Sequence, residues 1–507
     1  MRPGALLRPA WPWWTAGIVV TAAAAWLPLF PSLEALASPQ AFTGWSDPRL
    51  GGVMLRTLWI SASAAALSVL LGFPLALLAR RTDLPGARLF ELLLPLPLLL
   101  PPLLLALLAA RALARQGAQA HEAAFLAGGQ RLALGEMVRS ALPAAALGGA
   151  LSFLFTATDF AVPDYFASVG ERFDVYANVV FNAWRDWKQN DAGGAAASTL
   201  LAGTRAAAPL LLLAAAVFYA ALSLRDRLGE PDPSGGRPPA RLRLGAWRVP
   251  FGLLALCLAG VLLLLPLGRI VFETGSAGPL AAPGWLGRSA DAFSQALQRG
   301  RGDLLRSLLT GCAAAGIAAF VAPLWAHRLI RLPRGPKARL LTLILSLSLL
   351  APAVGVGIGA ILVYNSPFFG DFYLSQGLPA LILAGRFLPV AVFLLAERMQ
   401  RVPREQEEAA ALAGAGYPVR LFRYLLGPNR GSWLLAAGLV AVFSVRELDL
   451  AILLPASNAS AAVRYYNALH FARDNFVAAF GLIIALILFL PVMLSAAWKG
   501  LHRLEGG

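Results

Sequence analysis

Arg386, in Gly385-Arg386-Phe387, stands in the middle of an otherwise uncharged apolar run from Gly377 to Ala396. A charge at that depth is costly unless it faces a cavity or a partner. It serves either as a contact for an anion or carboxylate in a pathway, or as half of a structural pair, or else the span begins after it. Asp159 and Glu447 stand at the ends of two other apolar runs, with Asp164, Arg446 and Asp449 close in sequence. They read as a gate or docking site, or as ordinary solvated helix ends. Bond-making chemistry has less foothold. His121, His327, His470 and His502 are scattered, and the two cysteines, Cys257 and Cys312, lie inside apolar stretches. No His/Cys/carboxylate set has metal-ligand spacing, and no nucleophile sits beside a base. The three lysines, Lys188, Lys337 and Lys499, follow Trp, Pro and Trp, so there is no Gly-Lys-Ser/Thr loop to grip a nucleotide phosphate. The expectation is a protein that is not an enzyme and binds no metal or cofactor itself.

The elements that carry these residues are apolar. Of 507 residues, 58% are hydrophobic and 14% charged, and the mean hydropathy is +0.66. The apolar residues cluster in uncharged stretches of roughly 19 or more, long enough to span a bilayer as helix. This predicts an all-α polytopic membrane protein of about 10–12 membrane segments, and it excludes a disordered chain and a soluble multi-domain enzyme. The runs begin at Trp11–Leu29 and continue between Arg56 and Arg80, Glu91 and Arg111, Arg139 and Asp159, and Arg205 and Arg225. They resume between Arg248 and Arg269 and between Arg306 and His327, then at Leu340–Leu362, Gly377–Ala396, Ser432–Val445 and Phe476–Trp498. Ala35-Leu36-Ala37 resembles a signal-peptidase site, but the first run is longer than a usual signal core, so a retained helix is expected.

Residues 226–247, rich in Pro, Gly and Arg, read as a linker between two halves, 1–225 and 248–507. The halves repeat. Leu55-Arg56-Thr57 matches Leu305-Arg306-Ser307, and Pro102 matches Pro352, both at an offset of 250. Glu122-Ala123-Ala124 matches Glu408-Ala409-Ala410 at 286, and Asp159 matches Glu447 at 288. The jump leaves the first half 36 residues shorter, one helix plus a loop. If both Glu-Ala-Ala loops face one side, the proline-rich segment 92–110 enters and returns, or lies shallow, rather than crossing; the alternative is a straight span. With the N-terminus, both loops, the linker and the C-terminus on one side, that side holds 28 Lys+Arg against 12 Asp+Glu, and the other 14 against 15. Arg386, within a span, is the remaining cation, so a net +16 sits on one face, as the positive-inside rule expects, and needs no nucleic acid to explain it. The aromatic residues Tyr165, Tyr176, Trp184 and Trp187 of segment 159–191 are expected as interfacial anchors, the alternative being partner contacts.

The two matched loops are the most specific pattern. Each has Glu-Ala-Ala with Gly six residues after the Glu (Gly128 and Gly414), then Leu142-Pro143 or Leu426-Gly427-Pro428 before the next span. Glu favours a helix start, Ala a close-packed helix, and Gly a sharp end, so each loop reads as a short docking helix. These loops resemble the EAA motif of permease subunits of binding-protein-dependent ABC importers. Thr158-Asp159-Phe160-Ala161-Val162-Pro163 and Arg446-Glu447-Leu448-Asp449-Leu450-Ala451 resemble the segments that follow it in fused, double-length permeases of the iron(III) type, a build shared by thiamine permeases. The resemblance covers nearly the whole chain. It departs from the pattern in lacking the span before the first loop, and in its stretched spacing from Gly128 to Leu142.

The resemblance implies two tandem permease repeats related by a parallel pseudo-two-fold axis in a bacterial cytoplasmic (inner) membrane, with both termini cytoplasmic. It implies that Glu122, Ala123, Ala124, Gly128, Glu408, Ala409, Ala410 and Gly414 form coupling helices. These would dock on two copies of a cytoplasmic ATPase, which carries the ATP and Mg. An extracytoplasmic binding protein would deliver the solute, iron(III) first and thiamine or similar next. Arg386, Asp159, Arg446 and Glu447 are the candidate pathway or gate residues. The alternative class is an ion-coupled secondary transporter, which would need acids within its spans.

Overall fold

The computed structural model describes residues 11–39, 42, 48–85, 118–169, 173–190, 196–228, 242–276, 284–333, 335–455, 459–471 and 475–504. The proline-rich segment 92–110 and most of the linker lie outside the described residues. In chain order the helices are α1 (Trp11–Leu36), α2 (Pro48–Arg81), α3 (Ala118–Thr158), α4 (Ala161–Val169), α5 (Tyr176–Asn190), α6 (Ala196–Leu228), α7 (Arg248–Ala259) and α8 (Leu265–Thr274). They continue as α9 (Gly284–Arg331), α10 (Pro336–Leu350), α11 (Ala353–Tyr364), α12 (Gly377–Met399), α13 (Arg404–Leu412), α14 (Arg430–Arg446), α15 (Ala461–Phe471) and α16 (Asn475–Leu504). Among the described residues the only β pairing is an isolated bridge, Thr82 to Leu242. It pins the chain emerging from the linker to the end of α2, and Asp83 Oδ1 adds a bond from the Leu244 amide at 2.9 Å. Among the described residues six helices, within α1, α2, α3, α6, α9 and α12, are long and apolar enough to cross a membrane, or seven if the bent pair α10–α11 is counted as one span. The protein is all-α and of polytopic membrane type.

The chain forms two compact units, and each draws on both halves of the sequence. The first comprises Met1–Leu50, Asp159–Leu213 and Leu297–Ala472; the second Gly51–Thr158, Ala214–Ala296 and Arg473–Gly507. In the first unit α1 lies against α11 and α12. Its helix widens into a π turn, Ala22–Trp26, just before Leu27-Pro28-Leu29. Proline has no amide for the carbonyl four residues back and crowds it, and the wider turn absorbs the mismatch. The carbonyls so exposed are used. Tyr364 donates its hydroxyl to Ala23 O at 2.5 Å. Gly385 lets α12 approach Ala24, and Gly359 lets α11 approach Pro28, where a Cβ would come within 1.8 Å of the carbonyl oxygen. Such small-residue contacts let helices pack closely where no hydrophobic force separates protein from lipid.

In the second unit Ala76 and Ala79 of α2, Ala141 of α3 and Ala255 of α7 share one core with Leu84, flanked by Phe73 and Phe251. A buried Ser68–Ser152 hydroxyl pair at 2.9 Å links α2 to α3. Between α7 and α8 a π turn, Gly260–Leu264, precedes Leu265-Pro266-Leu267. The same device therefore opens each half, at an offset of 238.

The segment Leu340–Leu362, expected as one of the membrane spans, is broken. α10 and α11 meet at 87°. Ala351 is extended (φ −64, ψ 145) because it precedes Pro352, whose ring disfavours helix at the residue before it.

Candidate functional site

Among the described residues of the first unit, two charged constellations involve the residues singled out by sequence, both built on helix ends. The first surrounds the second Glu-Ala-Ala loop. Pro403 opens α13, and Gly414 closes it at φ +82, with Ala415 N bonded to Ala410 O (2.9 Å) and Gly414 N to Ala411 O (3.1 Å). This is the Schellman ending, in which a left-handed glycine lets two late amides satisfy the last carbonyls. One face of the helix is buried through Glu407 and Ala410; the other exposes Ala409, Leu412 (76% exposed), Ala413 and Gly414. Glu408 is half-buried and bonds Arg404 one turn earlier, Nε to Oε1 at 2.7 Å.

Glu407 was not singled out by sequence, yet it is the anchor. Its carboxylate is fully buried and accepts from two residues at the end of α9: His327 Nε2 at 3.0 Å and the guanidinium of Arg331. A carboxylate has no proton to give, so His327 is the donor. The Tyr417 ring, just past the turn, packs 5.5 Å from the imidazole. A buried carboxylate is tolerable only with such partners. The available signal was helical phase, since Glu407 lies three residues before the buried Ala410.

The first loop is positioned differently. Glu122, Ala123, Ala124 and Gly128 lie within α3, a helix of 41 residues, rather than on a short helix of their own; their side chains lie outside the described residues. The left-handed glycine falls at Gly129 (φ +67), one residue later than expected. Leu126, which corresponds to Leu412, is 85% exposed.

The second constellation gathers the predicted pathway residues. Arg386 of α12 is buried and reaches the broken end of α10, donating from Nη1 to the carbonyls of Ser348 and Ala351, each at 3.1 Å. The C-terminal end of a helix is negative and leaves carbonyls without partners, and the guanidinium answers both. Ser348 ties back through its hydroxyl to Gly385 O at 2.8 Å. On its other side Arg386 Nε faces Glu447 Oε1 at 3.5 Å, an ion pair nearly shielded from water. Asp159 caps α4, accepting from the amides of Ala161 (2.9 Å) and Val162 (3.3 Å). Arg446 lies within electrostatic reach of Asp159, Glu447 and Asp449, and the Phe160 amide bonds Asp449. Burial raises Asp159 above the usual carboxylate range. It raises Asp449 well above, with Asp159 and Glu447 adding to the effect.

These acids are therefore not solvated helix ends. Three carboxylates and two guanidiniums interlock, and among the described residues no His/Cys/Asp/Glu group has the geometry to hold a metal ion. Two of the expected interfacial anchors also differ: Trp184 and Tyr176 are buried inside the unit, Trp184 beside Phe181, which stacks on Phe160. No protein-family model matches the chain, and no curated protein matches it.

Proposed function

We propose that the chain is the membrane-spanning permease of an ATP-driven importer of the binding-protein-dependent ABC class. It would move a small solute into the cytoplasm of a bacterium by alternating access. The observation that carries this reading is α13. It is a short helix with one face clamped to α9 by a buried acid and the other face, Ala409 to Gly414, bare and ending in a left-handed glycine. Such a helix suits docking in the groove of a separate motor. Exposed leucines at corresponding places, Leu126 and Leu412, favour two docking points and two ATPase copies.

Two parallel repeats are favoured by the π turns before Leu-Pro-Leu at the start of each half. They are favoured also by the make-up of the units, since α1 packs with the second half and α7 with the first. In this mechanism ATP closes the partner ATPase, the docking helices follow, and the spans rock around a pathway bordered by Arg386, Asp159, Arg446 and Glu447. Both termini face the cytoplasm, and no bond in the solute changes. Iron(III) is the first substrate expected from the motif resemblance, thiamine or a similar cofactor the next. Affinity purification from the native membrane tests the reading: a cytosolic ATPase should co-purify, and Leu412→Asp should release it.

A second reading, an ion-coupled secondary transporter, draws on the buried acids Asp159, Glu447 and Asp449, since acids in such places mark ion pathways. Uptake abolished by a protonophore and indifferent to ATP depletion would select it.

A further inference from the structure

We infer that α9 is a transmission rod, locked at one end to α13 by Glu407 and at the other to α15 by Asp303, so that displacement of α13 is delivered to α15. The inference rests on the permease reading and adds to it the path by which the motor's stroke crosses the membrane.

Both joints have the same construction. At one end the carboxylate of Glu407, buried and contributed by α13, is gripped by His327 and Arg331 of α9. At the other end the carboxylate of Asp303, buried and contributed by α9, is gripped by Arg464 of α15 and by Arg306 one turn further along α9. The second joint has an extra tie, because the buried Ser307 hydroxyl accepts the first amide of α15, Ala461 N, at 2.8 Å. In each joint the carboxylate is the buried member, and at Asp303 the guanidiniums of Arg306 and Arg464 keep one side in solvent; removing the partners strands a buried carboxylate, which is what resists slipping.

The spacing assigns the joints to opposite faces. Twenty-four positions separate Asp303 from His327, about 36 Å of helix at about 1.5 Å per residue. The hydrocarbon core of a bilayer is about 30 Å thick.

The rod also has a guarded weak point. Pro323 lies inside α9 and cannot bond the carbonyl of Ala319. The indole of Trp433, from α14, donates to that oxygen at 2.9 Å, which satisfies the group that a kink would otherwise expose to water or leave unpaired.

The test uses the full-length chain in nanodiscs with Cys257 and Cys312 replaced and a nitroxide on Asn467, an exposed position of α15. With the co-purifying ATPase bound, ATP and Mg should change the label's mobility. Glu407→Gln, which keeps the volume and removes the charge, should abolish that change while the ATPase remains bound. Asp303→Asn should do the same from the other end. Glu405→Gln, on the exposed face of α13, should leave it intact. Persistence of the ATP-dependent change in Glu407→Gln overturns the inference. If no ATPase binds the wild-type chain, the permease reading falls on its own. The rod is then judged without the motor, from the distance distribution between nitroxides on Ala409 and Asn467. Broadening in either variant supports it, and an unchanged distribution overturns it.

Discussion

Arg386 does with one side chain what a broken span demands: it closes the end of α10 and neutralises Glu447. Arg386→Met strands two carbonyls and a carboxylate, and should cost about 3–5 kcal/mol by chemical denaturation, the usual price of breaking a buried pair. Asp449 is the surplus acid among three carboxylates and two guanidiniums. Its ordinary value of 3.8 is raised on folding, chiefly by burial. The folded state then holds the proton more tightly, so the residue's stabilising share is complete below about pH 4 and is lost as pH rises through the raised value. Asp449→Asn should therefore gain thermal stability over the wild type, by a margin that widens as pH rises; a constant margin would contradict this. Sequence picked out Arg386, Asp159, Arg446 and Glu447 because charges stand out against apolar runs. It did not show that they meet, since 288 positions separate Asp159 from Glu447 and proximity is a property of packing. Glu407 was hidden for a different reason: Glu407 and Glu408 look alike as letters, and only the phase of α13 buries one and exposes the other.

At the scale of elements, the spans were legible because lipid demands long uncharged runs, and α1, α2, α6, α9 and α12 fall where those runs predict. The right-angle break is not legible in the sequence, although Pro352 stands as the counterpart of Pro102. A proline in an apolar run is compatible with a kink, a bulge or a break, and which one forms depends on what receives the freed carbonyls. Here Arg386 receives them, 34 positions later. The close crossings of α1 predict a sharp contrast between glycines. Gly359→Ala drives a methyl into the Pro28 carbonyl and should destabilise by about 1–3 kcal/mol or more, as overpacking does. Gly438→Ala, with nothing within 4 Å, should be neutral or add up to about 1 kcal/mol from helix propensity. Thermal unfolding of the two variants measures the difference.

For the whole molecule, the proposed topology makes a plain accessibility prediction. A cysteine placed at Ala118 or Ala409 should react with an impermeant maleimide only from the cytoplasmic side, and one at Asn467 only from the opposite side. Reaction of Ala118 and Asn467 from the same side would defeat the proposed orientation.

The first compact unit joins α1 to α11 and α12. That has a consequence for biosynthesis. About 300 residues of translation separate the end of α1 from the start of α10, roughly 15–60 s at about 5–20 residues per second. Throughout that interval the nascent α1 can meet α6 and α9, through Ala208 and Trp325, but not α11 and α12, and its Ala23 carbonyl still lacks the Tyr364 hydroxyl. The π turn of α1 therefore stays without its close partners until late in synthesis, and a chain cut short before Tyr364 would leave the Ala23 carbonyl unanswered.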